Sequence, residues 1–179
     1  MQQAVNMFYL CAHTNCVMRL QITFCLLLLL CLGDTRANSK NFVFDRSAFY
    51  AAMASSNIEE IDAQLTLIRS SAFTEKEAYE GALMMKKSGL VAKAKDKLSL
   101  FKSGRSKLES SLAKDNGNAE FRFLRLIIQE HAPKIVNYRN ELEKDSQLIR
   151  TNFKTLHPVV QQAIIDYSKK SGILKPAYF

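Results

Sequence analysis

A chain of 179 residues with 47% hydrophobic and 23% charged residues lies in the ordinary globular range and outside that of disordered chains. Three Pro and six Gly are too few for the many turns of an all-β fold, so the composition predicts helices. The net charge is +8, and within residues 86–107 Lys86, Lys87, Lys93, Lys95, Lys97, Lys102, Arg105 and Lys107 stand against Asp96 alone.

The first predicted element is the apolar run Ile22–Leu32, preceded by Arg19 and followed by Gly33-Asp34-Thr35-Arg36-Ala37. It is shorter than the ~20 apolar residues a helix needs to cross a bilayer. Its length is that of the apolar core of a secretory signal, with Thr35 and Ala37 as the small residues before a cut at Asn38. Met18-Arg19-Leu20 would by itself start such a signal. Leu30 stands where a lipoprotein cleavage box requires Gly, Ala or Ser, which argues against lipidation at Cys31. The parsing is a signal segment at 1–37 and one all-α domain at 38–179, exported to the periplasm or secreted. All four Cys (Cys11, Cys16, Cys25, Cys31) fall in or before the run, so the exported domain has no disulfide and is held by its core alone.

Residues 38–44 have no helical pattern and read as an arm that packs Phe42 and Phe44. Asp45 caps a short helix through Ala54, and Ser56 or Asn57 caps the next, along which Ile58, Ile61, Leu65 and Ile68 recur at helical spacing. Thr74-Glu75-Lys76-Glu77 spells a capping box for a helix running to Ser88, with Gly89 as a left-handed stop. Ala78, Gly81, Ala82 and Met85 form a narrow face on which a neighbouring helix can approach closely. A helix over 92–114 carries the stripe Ala94, Leu98, Phe101, Leu108 and Leu112. Arg105 falls on that stripe, and an unpaired buried charge is costly, so it is expected to snorkel to the surface or to meet a carboxylate, with Glu77 and Glu80 as candidates.

After the turn Asp115-Asn116-Gly117, Asn118 caps a helix in which Phe121, Phe123, Leu124, Leu126, Ile127 and Ile128 cover most of the circumference. Such a helix is central. Its one polar ridge, Arg122, Arg125 and Gln129, is expected to face water or a partner. Pro133 ends or kinks it, and Ile135, Tyr138, Leu142, Ile149 and Phe153 continue the helical spacing. Pro158 opens a last helix through Lys170, stopped by Gly172. The fold class expected is all-α, a helical bundle or a stack of helical hairpins.

Tyr79, Gly81 and Ala82 on one helix, Leu98 through Leu112 on the next, and then Asp115-Asn116-Gly117-Asn118-Ala119-Glu120 resemble a degenerate tetratricopeptide repeat. Gly117 stands where that family favours Pro, and the helix starts Thr74 and Asn118 lie 44 apart instead of the family's 34. The arrangement is also similar to small exported helical proteins of Bacteroidetes-type bacteria. The resemblance implies a protein-binding scaffold without chemistry.

No constellation for catalysis or a cofactor stands out. His131 and His157 are far apart and belong to no metal-binding spacing. Glu59-Glu60 and Glu141/Glu143/Asp145 read as solvated helix faces. The expected function is a non-enzymatic binder of a protein or cell-envelope component. Its partner-binding residues are expected among Arg122, Arg125, Gln129, Lys93, Lys95, Lys97, Lys102 and Arg105. An alternative is an anionic lipid or lipopolysaccharide surface gripped by 86–107. Phe101 is the one aromatic residue in that segment and lies on the core stripe, so base stacking has no platform and nucleic acid is disfavoured. A site assembled from scattered residues, invisible in the sequence, is the enzymatic alternative. Amino-terminal sequencing of the protein recovered from outside the cytoplasm is expected to begin at Asn38; an intact Met1 or Met18 in the cytoplasm would refute export.

Overall fold

The computed structural model describes residues Phe44–Phe179; the predicted signal segment, its cleavage site and most of the 38–44 arm lie outside the described residues. The regular secondary structure of the described residues is all helical, with no strand. Its α-helices are α1 (Arg46–Ala54), α2 (Ile58–Ser70), α3 (Lys76–Ser88), α4 (Ala94–Lys114), α5 (Ala119–His131), α6 (Leu142–Asn152) and α7 (Pro158–Ser168). Short 3-10 turns occupy Lys134–Val136, Phe153–Thr155 and Pro176–Tyr178.

Local chemistry accounts for most of the helix starts. The Asp45 carboxylate accepts from Ser47 N at 2.8 Å and Ala48 N at 3.2 Å. The Asn57 amide oxygen accepts from Glu59 N at 2.8 Å, and that of Asn118 from Phe121 N at 3.1 Å. Each bond satisfies a backbone donor that the first turn leaves orphaned. Pro158 stands at the start of α7, where its missing N–H is harmless. At α3 the capping box does not form. Lys76 N donates to Phe73 O, the helix starts one residue after Glu75, and no side chain caps it. Phe73 is held in this turn by stacking on Phe44, 4.7 Å between centroids.

Two helices form the centre. Along α3, every residue from Ala78 to Met85 is buried. Along α5, every residue from Ala119 to Gln129 is buried except Ile127, which is half-buried. Phe123, Leu124 and Leu126 have no exposed surface. Phe44, Phe49, Tyr50, Phe73, Tyr79 and Phe121 join α1, α3 and α5 through ring contacts of 4.3–5.9 Å.

The hairpin of α3 and α4 is packed backbone to backbone. A methyl group on Gly81 would lie 2.6 Å from Gly104 O and 2.8 Å from Leu108 N; one on Gly104 would lie 2.6 Å from Gly81 O. No side chain larger than hydrogen fits at either crossing position. This explains a glycine in the middle of each helix, where glycine costs about 1 kcal/mol of helix propensity relative to alanine. The narrow face expected at Ala78, Gly81 and Ala82 is therefore the contact surface of this hairpin.

Several expectations need correction. Gly89 continues in a right-handed turn at φ −67°, with Leu90 N and Val91 N donating to Lys87 O, so it is not a left-handed stop. The one positive φ among the described residues belongs to Asn137, at 45°. It breaks the helical spacing read through Ile135 and Tyr138, and Ile135 is 92% exposed. Leu98 is 49% exposed, within a run of exposed residues over 92–99 at the start of α4.

The Gly81–Gly104 contact generates a stability prediction. Gly81→Ala and Gly104→Ala should each lower the melting temperature, since overpacking of about 1–3 kcal/mol exceeds the propensity gained. Gly117→Ala meets only the Asp115 side chain, at 3.9 Å, and should leave it within a degree or two. Equal melting of the three variants would refute backbone contact at this crossing.

Candidate functional site: a buried ion network and an apolar cleft

The polar ridge of α5 is not on the surface. Arg122, Arg125 and Gln129 are 6%, 5% and 2% exposed, which corrects their assignment to water or a partner. Arg122 and Arg125 face Asp145 on α6, which is fully buried. Arg125 donates from Nε to Asp145 Oδ2 and from Nη2 to Oδ1, both at 2.7 Å, the two-pronged geometry that suits a guanidinium to a carboxylate. Arg122 donates from Nη1 to Oδ1 at 3.0 Å and from Nε and Nη2 to Asn116 O, which ties the α4–α5 turn to the same charge.

The network extends to α4, where Arg125 Nη1 donates to Glu109 Oε2 at 3.0 Å. Glu109 also accepts a hydrogen bond from the hydroxyl of buried Tyr138. Burial opposes the charge on Arg125, but the hydrogen bonds and charge of Asp145, with Glu109 beyond, prevail and raise its pKa further above its ordinary value. The acidic triplet Glu141/Glu143/Asp145 is thus only partly a solvated face. Gln129 Oε1 has no hydrogen-bond partner among the described residues.

Arg105 does not meet Glu77 or Glu80. Gly104 occupies the inward position, and Arg105 lies outside it with its guanidinium 4.5 Å from the centre of the Tyr138 ring, a cation–π contact. Glu80 instead accepts from Arg69 at 2.7 Å and pairs with Lys107 at 3.0 Å. Burial works to raise its pKa, but these two cations outweigh it and hold the carboxyl below its ordinary value. Lys87 pairs with Asp62. Two of the basic residues of 86–107 are therefore neutralised within the fold. Lys93, Lys95, Lys97 and Lys102 are exposed and have no carboxylate partner among the described residues.

A cleft of about 680 Å³ lies between α1, the end of α3, the second half of α5 and α7. Its walls include Tyr50, Met53, Phe101, Phe123, Ile128 and Val159. Polar side chains also reach it, among them Gln162, Asp166, Tyr167 and Lys170. Tyr167 donates to Glu130 at 2.8 Å, and Asp166 pairs with Lys169 at 2.7 Å. Burial, then the bond to Glu130, pushes the Tyr167 hydroxyl far above its ordinary range, so it stays protonated. His131 Nδ1 lies 3.0 Å from Ile127 O and 3.3 Å from the Tyr167 hydroxyl. His157 is remote from it and caps α7. Lys86 and Lys170 complete the lining, and neither is in an ion pair among the described residues. Burial and then the neighbouring charge of Lys170 lower the pKa of Lys86. Periodicity had marked Phe123 and Ile128 as core; Tyr50, Met53 and Lys86, from distant segments, carried no signal that they share a cavity.

Among the described residues no group of His, Cys, Asp or Glu is arranged to hold a metal ion, and no helix is long and apolar enough to cross a membrane. No protein-family model, curated protein or solved structure matches the chain.

Asp145 is the test of the network. Asp145→Ala leaves two buried guanidinium groups without their shared carboxylate and should cost about 3–5 kcal/mol, out of a total near 5–15 kcal/mol. Lys95→Ala, on the exposed end of α4, should change stability by less than about 0.5 kcal/mol. Chemical denaturation with urea measures both. An Asp145→Ala protein as stable as the parent would show that the ridge is not held as described.

Proposed function

We propose that the protein is an exported, non-enzymatic binding domain, and that its binding site is the cleft between α1, α3, α5 and α7. One observation carries this reading: a cleft of about 680 Å³ with predominantly apolar walls, in the size range of pockets that take small molecules, about 300–1,000 Å³. The polar groups beside it favour binding over chemistry. Tyr167 is held protonated against Glu130, and Asp166 is taken up by Lys169. Among the described residues no activated nucleophile with its base lines the walls. The tetratricopeptide-like residues of the α3–α4 hairpin fit a scaffold role in the same sense, and the partner is a cell-envelope component that presents an apolar group.

A second reading rests on the end of α4. Lys93, Lys95, Lys97 and Lys102 are exposed without carboxylate partners among the described residues, and Leu98 is exposed between them. This is the chemistry of an anionic surface binder.

The neutral dye Nile red, whose emission rises in apolar surroundings, separates the two. The cleft reading expects saturable uptake at one site per chain, abolished by Ala163→Trp, which fills the cleft, with the helical circular dichroism spectrum retained. No uptake by the folded parent protein refutes it. Sedimentation with anionic vesicles that salt abolishes, and that Lys95→Gln/Lys97→Gln weakens, would favour the second reading instead.

A further inference from the structure

We propose that the cleft takes a single-chain long-chain carboxylate, a fatty acid, with its alkyl chain along the apolar walls and its carboxylate between Lys86 and Lys170. The inference rests on the cleft being the binding site, and adds the class of ligand.

The walls identify the chain. Met53 and Met85 line the cleft beside Phe101 and Phe123. Flexible thioethers conform to an irregular or mobile alkyl group as rigid branched side chains do not. Each methylene removed from water contributes about 0.8 kcal/mol, so an extended chain is favoured over a short one until the cleft is full.

The two lysines identify the head. Both line the cleft, they are close enough to interact unfavourably, and neither is neutralised by a carboxylate of the described residues. The half-buried position of Lys86 makes its charge costly, and an anion beside it relieves both that cost and the repulsion. Lys170 Nζ is also 5.7 Å from the ring of Tyr167, which anchors the cation beside the apolar wall.

The helix ends choose a carboxylate over a phosphate. The carboxyl-terminal ends of α3, α5 and α7 all reach the cleft, with Lys86 and His131 in the last turns of α3 and α5 and Lys170 just past the end of α7. Each such end carries a partial negative charge of about half a unit. The exposed carboxylate of Asp166 adds to it, although Lys169 pairs with it. This field opposes a dianionic phosphate more strongly than a carboxylate, which brings a single negative charge to the two lysines. Among the described residues no arginine lines the cleft to supply the fork that phosphate recognition favours.

The test is isothermal titration of the purified protein with sodium hexadecanoate, hexadecanol and hexadecyl phosphate, each below its aggregation limit. The expected result is one hexadecanoate per chain, bound about tenfold or more tightly than either other probe. Lys86→Gln/Lys170→Gln should lose about that factor for hexadecanoate and leave hexadecanol unchanged, while Lys93→Gln should alter neither. Equal binding of hexadecanol and hexadecanoate, or tighter binding of hexadecyl phosphate, overturns the carboxylate assignment but keeps the cleft as the site. Failure of all three probes while Nile red still binds overturns the fatty acid alone. Failure of Nile red as well removes the binding site itself.

Discussion

Asp145 is a carboxylate with no exposure to solvent, and two arginines from one neighbouring helix converge on it. Burying three charges is favourable only if each is matched and hydrogen-bonded, and here both oxygens of Asp145 are taken. The remaining donors of Arg122 go to Asn116 O, and Arg125 reaches Glu109. One charge therefore fixes α6, α5, the α4–α5 turn and α4 at once. A greasy contact tolerates sliding; a two-pronged guanidinium–carboxylate pair does not. The network sets how α5 is rotated, and with that which of its residues face the cleft.

The rotation has a direct consequence. With Arg122, Arg125 and Gln129 turned toward α6, Phe123, Ile127 and Ile128 are left facing α1 and α7. A second polar clamp holds the first turn of α5 on another face, where Glu120 accepts from Arg46 and Tyr50 of α1, each at 3.2 Å. Two polar anchors on one helix, and the backbone contact between Gly81 and Gly104, leave the elements little freedom to close over the apolar space between them. The cleft is then a product of rigid neighbours and not of a loosely packed core.

The charge distribution follows the same division. Lys87 and Lys107 are used inside the fold, against Asp62 and Glu80. Lys93, Lys95, Lys97 and Lys102 are exposed along the first half of α4. Lys86 and Lys170 stand apart from them, at the cleft. A sequence-level excess of positive charge thus resolves into three populations with different roles: structural pairs, a solvated surface, and a pair of cations beside an apolar cavity.

The helices, their caps at Asp45, Asn57 and Asn118, and the central place of α5 were legible in the residue pattern, because they depend on contacts a few positions apart. So was the small-residue face of α3, although its partner Gly104 was not. The ridge of α5 was visible as a ridge but its direction was misread. Three polar residues on an apolar helix look the same facing water or facing a buried carboxylate. Asp145 did carry a hint: Leu142, Ser146 and Ile149 share its face of α6, so it stands in a core-facing register. Which arginine it meets, that Arg105 goes to Tyr138 instead of Glu80, and that Met53, Phe101, Phe123 and Lys170 enclose one cavity were decided only by tertiary structure. Those facts join residues tens of positions apart. Helical periodicity records which side of a helix is apolar, and it holds no information about what lies across from that side.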